Sequence, residues 1–137
     1  MPALKAFIVE DSPVILENLI ATLEELAQVE VVGSVGDEAS AVRWMKRDPD
    51  AHADLFIVDV FLRSGTGLGV LQAAQQLGVR ARRVVLTNYA TDEMRRRCAS
   101  LGAERVFDKS HELDDLISYC AELAEQTSAA RPAAAAS

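Results

Sequence analysis

The chain lacks any long apolar run. None of its hydrophobic segments approaches the roughly 20 residues that span a bilayer, so no membrane partner is expected. The opening "MPALKAFIVE" has too short an apolar part and no small-residue cleavage pattern, which reads against a signal peptide and for a cytoplasmic protein. Cysteine is scarce. Cys98 and Cys120 fall in apolar helical patterns, with no CxxC and no nearby histidine pair, so both are expected as small buried hydrophobes rather than disulfide or zinc partners. Histidine is equally sparse: His52 and His111 are isolated, and neither is expected to ligate or catalyse. Basic charge is also short. Fourteen Lys and Arg face twenty-one Asp and Glu, giving a net charge of -7, so a nucleic-acid surface is not expected. The one basic run, Arg95 to Arg97, reads first as a solvated helix face and second as a docking surface.

What is present is a repeat of short apolar and longer amphipathic segments. The apolar ones are "LKAFIV" (4–9), "VEVVGSV" (29–35), "DLFIVDV" (54–60), "RRVVLTN" (82–88) and the weaker "ERVFD" (104–108). None alternates cleanly between apolar and polar, the pattern of strands covered on both faces of a parallel sheet. Helical patterns follow each one, at 13–27, 37–47, 67–77, 91–101 and 111–125. The first places Ile15, Leu16, Leu19, Ile20, Leu23 and Leu26 on one stripe behind a Ser12 cap and Pro13. Pro49 is expected to end the second, and Trp44 to anchor its packing. Gly78 and Gly102 are expected to stop the third and fourth. Residues 126–137 offer no apolar face and are expected to be a disordered Ala-rich tail. The predicted fold is therefore α/β, doubly wound and flavodoxin-like: a (βα)5 unit over residues 1–125 with strand order 2-1-3-4-5.

Ligands of such sheets sit at the carboxyl ends of the strands. There the sequence puts Glu10 and Asp11 after the first strand, Asp59 after the third, Thr87 after the fourth and Lys109 after the fifth. Adjacent carboxylates repel unless a cation joins them. An all-oxygen set with few carboxylates and room for water suits Mg2+. A central carboxylate flanked by a metal, an ammonium and a hydroxyl can accept a phosphoryl group as an acyl phosphate.

These residues, in this order and spacing, resemble the receiver domains of two-component response regulators over residues 4 to 125. Gly67 matches the glycine that usually opens the third helix. The resemblance implies a single-domain, chemotaxis-type regulator that takes a phosphoryl group on Asp59 from a histidine kinase or histidine phosphotransfer protein, with Thr87 and Lys109 as the other reacting-site residues. It implies Mg2+ held by Glu10, Asp11, Asp59 and the backbone carbonyl of Phe61. It also implies that phosphorylation reshapes the face of the fourth helix, fifth strand and fifth helix. No foldable pattern follows residue 125, so output is expected through an unidentified downstream protein or onward phosphotransfer. The family pattern is broken at Ser110, where a proline usually follows the lysine; at Arg63, where another proline is common; at Val106, the usual place of an aromatic; and at Asn88, usually small. Phe61 and Tyr89 occupy the two positions that in receivers flank the approach of hydrolytic water. The chain is thus read as a phosphoacceptor signalling domain and not a turnover enzyme, with at most self-catalysed phosphotransfer and phosphate loss. The alternative is an unphosphorylated pseudo-receiver scaffold. A metal-dependent phosphohydrolase would want an acid where Phe61 stands.

Overall fold

Strands that are apolar along their whole length bury both faces, and the sheet shows why the segments do not alternate. The structure, a computed structural model, describes residues 3–47 and 53–130. Five strands, β1 (Leu4–Val9), β2 (Val29–Val35), β3 (Leu55–Val58), β4 (Arg82–Thr87) and β5 (Arg105–Asp108), alternate with five helices, α1 (Pro13–Leu26), α2 (Glu38–Arg47), α3 (Gly67–Gln76), α4 (Asp92–Ser100) and α5 (Leu113–Ala130). The strands pair in parallel in the order β2-β1-β3-β4-β5, as predicted.

Alternate residues of β1, β3, β4 and β5 feed different cores. Ala6, Ile8, Leu55, Ile57, Val84 and Leu86 pack with Leu19 and Leu23 of α1 and Leu116, Cys120 and Leu123 of α5. Phe7, Val9, Phe56 and Val58 pack on the other side with Ala41 and Met45 of α2 and Val70 and Ala74 of α3. Val60, Val85 and Val106 meet Leu71 of α3 and Cys98 of α4. Both cysteines are free and buried, as expected. Trp44 is the anchor anticipated for α2: its ring stacks on Phe7 with centroids 4.0 Å apart and meets Phe56 edge-on at 5.8 Å. The register of β1 on β2 slips between Ala6 and Phe7, which sets Gly33 opposite the Phe7 ring.

Several boundaries differ from expectation. The α1 stripe is narrower than its periodicity suggests, since Leu26 is 61% exposed and Ile15 38% exposed. Only the i, i+4 pair Leu19 and Leu23 reaches full burial, because a helix lying on a sheet buries a narrower arc than its apolar stripe covers. Helix α5 runs to Ala130, so residues 126–130, expected in the tail, are helical. Pro49, His52 and residues 131–137 lie outside the described residues. Among the described residues, no helix is long and apolar enough to cross a membrane.

Candidate functional site

Backbone hydrogen bonds of the sheet deliver the predicted side chains to one edge. The Glu10 N–H donates to the Val35 carbonyl at 3.0 Å, the Asp59 N–H to Val9 at 2.9 Å, and the Lys109 N–H to Thr87 at 2.9 Å. Each residue therefore leaves its strand end beside its neighbour's. The side chains then converge. The Lys109 ammonium donates to Glu10 Oε1 at 2.6 Å and to Asp59 Oδ2 at 2.9 Å, and all three side chains are largely buried. Oxygens of Glu10, Asp11 and Asp59 lie within 4.8 Å of one another. Thr87 is fully buried, and its Oγ1 accepts the Tyr89 N–H at 3.3 Å, which leaves the hydroxyl's own hydrogen to donate.

The charge balance of this cluster is negative. Burial raises the Asp59 carboxyl above its ordinary value, and Glu10 adds to the rise; hydrogen bonding and charge from Lys109 oppose it without cancelling it. Burial alone would lower Lys109, but its hydrogen bonds to Glu10 and Asp59 and their charges outweigh that and hold the ammonium above its usual value. One ammonium is thus shared by two carboxylates while Asp11 stands nearby, half-buried. An all-oxygen donor set with surplus negative charge fits a hard divalent cation. Ser12, not Asp11, caps α1: Ser12 accepts the Ile15 N–H at 3.4 Å, and Glu10 Oε2 accepts the Ser12 N–H at 3.0 Å.

The loop after the acceptor is shaped by glycine. A Cβ on Gly67 would overlap the carbonyl of Asp59, and the Gly67 N–H donates to Val60 O at 2.8 Å. Gly67→Ala is expected to cost about 2–3 kcal/mol, because the clash is with backbone and cannot be relieved by a rotamer. Urea unfolding checks this; an unchanged midpoint would show that the turn accommodates a methyl group.

Two of the positions that depart from the family pattern, Ser110 and Val106, have a defined local setting. Ser110 has an N–H that a proline would lack, and it donates to Asp108 Oδ1 at 2.7 Å. No peptide bond is cis among the described residues. Val106 and Phe107 are both buried, so neither is a surface rotor, and the Phe107 ring lies 5.8 Å from Tyr119. His111 is exposed, with Nδ1 3.6 Å from Asp108 Oδ1.

Arg95 is the residue that sequence reading placed wrongly. Arg96 and Arg97 are exposed, but Arg95 is half-buried. Its guanidinium donates to Ala90 O at 3.0 Å, to Val106 O at 2.7 Å and to Glu112 Oε1 at 2.7 Å. That same carboxylate oxygen accepts the Asp108 N–H at 2.9 Å, so Arg95 ties α4 to β5 and to the loop that carries Lys109. The Arg95 hydrogen bond, then that of Asp108, holds Glu112 below the usual carboxylate range.

Comparison with known proteins agrees with this geometry. The DNA-binding transcriptional activator DevR/DosR of Mycobacterium tuberculosis is 33% identical over 89 residues, a match covering 65% of this chain and 40% of that protein. The match thus takes in well under half the length of that relative. The solved signal receiver domain of the response regulator NarL from Mycobacterium tuberculosis shares the fold with a TM-score of 0.79 at 18% identity, covering 91% of this chain and 98% of that one. RcsB of Salmonella typhimurium gives 0.78 at 21% identity, over 92% of this chain and 61% of its own. Residues 6–121 match the response regulator receiver domain, and the chain belongs to that family of phosphoacceptor modules of two-component signalling.

Proposed function

We propose that Asp59 is the phosphoacceptor and that the donor is the phosphohistidine of a histidine kinase or histidine phosphotransfer protein. A carboxylate oxygen of Asp59 attacks phosphorus, the donor's P–N bond breaks, and its electron pair leaves on the imidazole nitrogen. The observation that carries this reading is the position of Lys109, whose ammonium already grips the Asp59 carboxylate at 2.9 Å. An ammonium there would meet charge building on a phosphoryl oxygen, and the buried Thr87 hydroxyl would donate to another. Glu10, Asp11 and Asp59, with the Phe61 backbone carbonyl, would hold Mg2+, which when bound supplies further positive charge against the phosphoryl oxygens. The complete acid set argues against the pseudo-receiver reading. The test is transfer from a panel of phosphorylated histidine kinases: fast Mg2+-dependent transfer from one of them supports the proposal, and none from any contradicts it.

Output, in this reading, passes through the face of α4, β5 and α5. Arg95 joins α4 to the Val106 carbonyl of β5 and, through Glu112, to the Asp108 N–H next to Lys109, so a shift of Lys109 toward a phosphoryl group would be felt by α4. We read the domain as a cytoplasmic regulator that acts on a downstream protein or passes the phosphoryl group onward. With a net charge of -7 it is read as making no nucleic-acid contact of its own.

The phosphorylated state is expected to be long-lived. Hydrolysis needs a water oxygen to attack phosphorus while the P–O bond to Asp59 breaks and its electron pair returns to the carboxylate. Phe61 and Tyr89 flank that approach as an edge-to-face pair with ring centroids 4.9 Å apart, and neither side chain can orient a water as an acid or amide would. Phe61→Asn combined with Tyr89→Glu should speed phosphate loss about tenfold, the effect of roughly 1.4 kcal/mol in barrier. Decay followed after donor removal checks this, and equal or slower decay would show that the aromatic pair does not control water.

A further inference from the structure

We infer that Glu38, the first residue of α2, is a positioning residue for the Phe61 loop and thereby sets the lifetime of the acyl phosphate. The lifetime part rests on the phosphoacceptor reading above. Glu38 holds the loop at both ends of its side chain and backbone. Its Oε1 accepts the Thr66 N–H at 2.9 Å, and its own N–H donates to Ser64 O at 3.2 Å. Thr66 is in turn the antiparallel partner of Phe61 in an isolated bridge. The chain of contacts therefore runs from Glu38 through Thr66 to Phe61, and from the Phe61 ring to Tyr89.

The loop sequence "SGTGLG" is built to admit this carboxylate. Gly65, with φ of +76°, would press a Cβ into the Glu38 side chain, and a Cβ on Gly69 would overlap the Glu38 carboxylate itself. Thr66 meanwhile caps α3 by accepting the Gly69 N–H at 3.0 Å, so the same short segment both starts α3 and seats Glu38. Without that seat, the Phe61 backbone keeps the bridge to Thr66 and its N–H hydrogen bond to Asp59 Oδ1 at 3.3 Å, but the loop beneath the exposed Phe61 ring loses its side-chain tie to α2. A ring free to swing away opens the line along which water reaches phosphorus.

Three variants test this. Glu38→Gln keeps the acceptor oxygen, Glu38→Ala removes it, and Gly69→Ala displaces it while adding helix propensity to α3. Each chain is phosphorylated with acetyl phosphate and Mg2+, the donor is removed, and decay is followed by intact mass. The NMR contact between the Phe61 and Tyr89 rings is measured on the unphosphorylated chains. Glu38→Ala and Gly69→Ala should lose the ring contact and dephosphorylate several-fold faster, Glu38→Gln should stay near wild type, and Gly69→Ala should unfold no earlier than wild type. Wild-type decay in Glu38→Ala, or equal acceleration in Glu38→Gln, overturns the inference. If no chain takes a phosphoryl group, the phosphoacceptor reading fails, and the ring contact alone decides the positioning role: its loss in Glu38→Ala supports that role, and its retention overturns it.

Discussion

Asp59→Asn should abolish phosphorylation while the protein stays folded. The amide has the shape of the carboxylate and keeps one oxygen to accept from Lys109, giving up only the long 3.3 Å bond that Asp59 Oδ1 accepts from the Phe61 N–H, so the sheet edge stays in place. It lacks the anionic nucleophile, and an acyl phosphate cannot form on it. The substitution also removes one of the two buried carboxylates that share a single ammonium. Burial holds the Asp59 carboxyl above its ordinary 3.8 in the fold, so its ionisation is less favourable folded than unfolded. That penalty is absent below the unfolded value and grows as pH rises through the folded value. In metal-free buffer at neutral pH, Asp59→Asn should therefore unfold at or above the wild-type midpoint, and the gap should narrow as pH falls toward the unfolded value. Intact-mass analysis after treatment with a small acyl phosphate checks the first part. A phosphoryl group retained in the variant would place the acceptor elsewhere.

Asp11→Ala is expected to weaken Mg2+ binding by about 10- to 100-fold, at least the cost of removing a supporting group from a metal site. The reason is local. Lys109 is already committed to Glu10 and Asp59 at 2.6 and 2.9 Å, so Asp11 is the acid of the cluster to which Lys109 does not donate. It has no part in capping α1 that would offset its loss, because Ser12 supplies the cap. Removing Mg2+ with a chelator should suppress phosphorylation by the small donor in the wild type as well. Titration by calorimetry or tyrosine and tryptophan fluorescence measures the affinity; an unchanged dissociation constant in Asp11→Ala would show that the ion binds away from this cluster.

The fold was legible because its information is local. β1 and β2 fall where their apolar runs begin and end, and α1 starts at Pro13 behind the Ser12 cap. The site residues were legible for a related reason: each lies at or just past the carboxyl end of a strand, and parallel pairing converts positions in sequence into one edge in space. What escaped depends on contacts between elements. Arg95 looks like its neighbours Arg96 and Arg97 until β5 and the β4–α4 loop supply the carbonyls it meets. Ile15 and Leu26 fit an apolar period but fall outside the arc that the sheet covers. Residues 126–130 have no apolar stripe, yet "QTSAA" carries no helix breaker, and α5 continues through it. Glu38 left its trace in the glycines at 65 and 69, where a Cβ would meet its side chain, while Gly67 between them answers to the Asp59 carbonyl.

The most direct test of the account is to locate the phosphoryl group on the wild-type chain. The protein is phosphorylated in Mg2+, the acyl phosphate is trapped by borohydride reduction, and the chain is digested and mapped by mass spectrometry. The account predicts modification at Asp59, stoichiometric with the phosphorylated fraction and absent when Mg2+ is chelated. Modification at Glu10, Asp11 or any residue away from the Lys109 contact, or none under conditions where the chain remains folded, would contradict it.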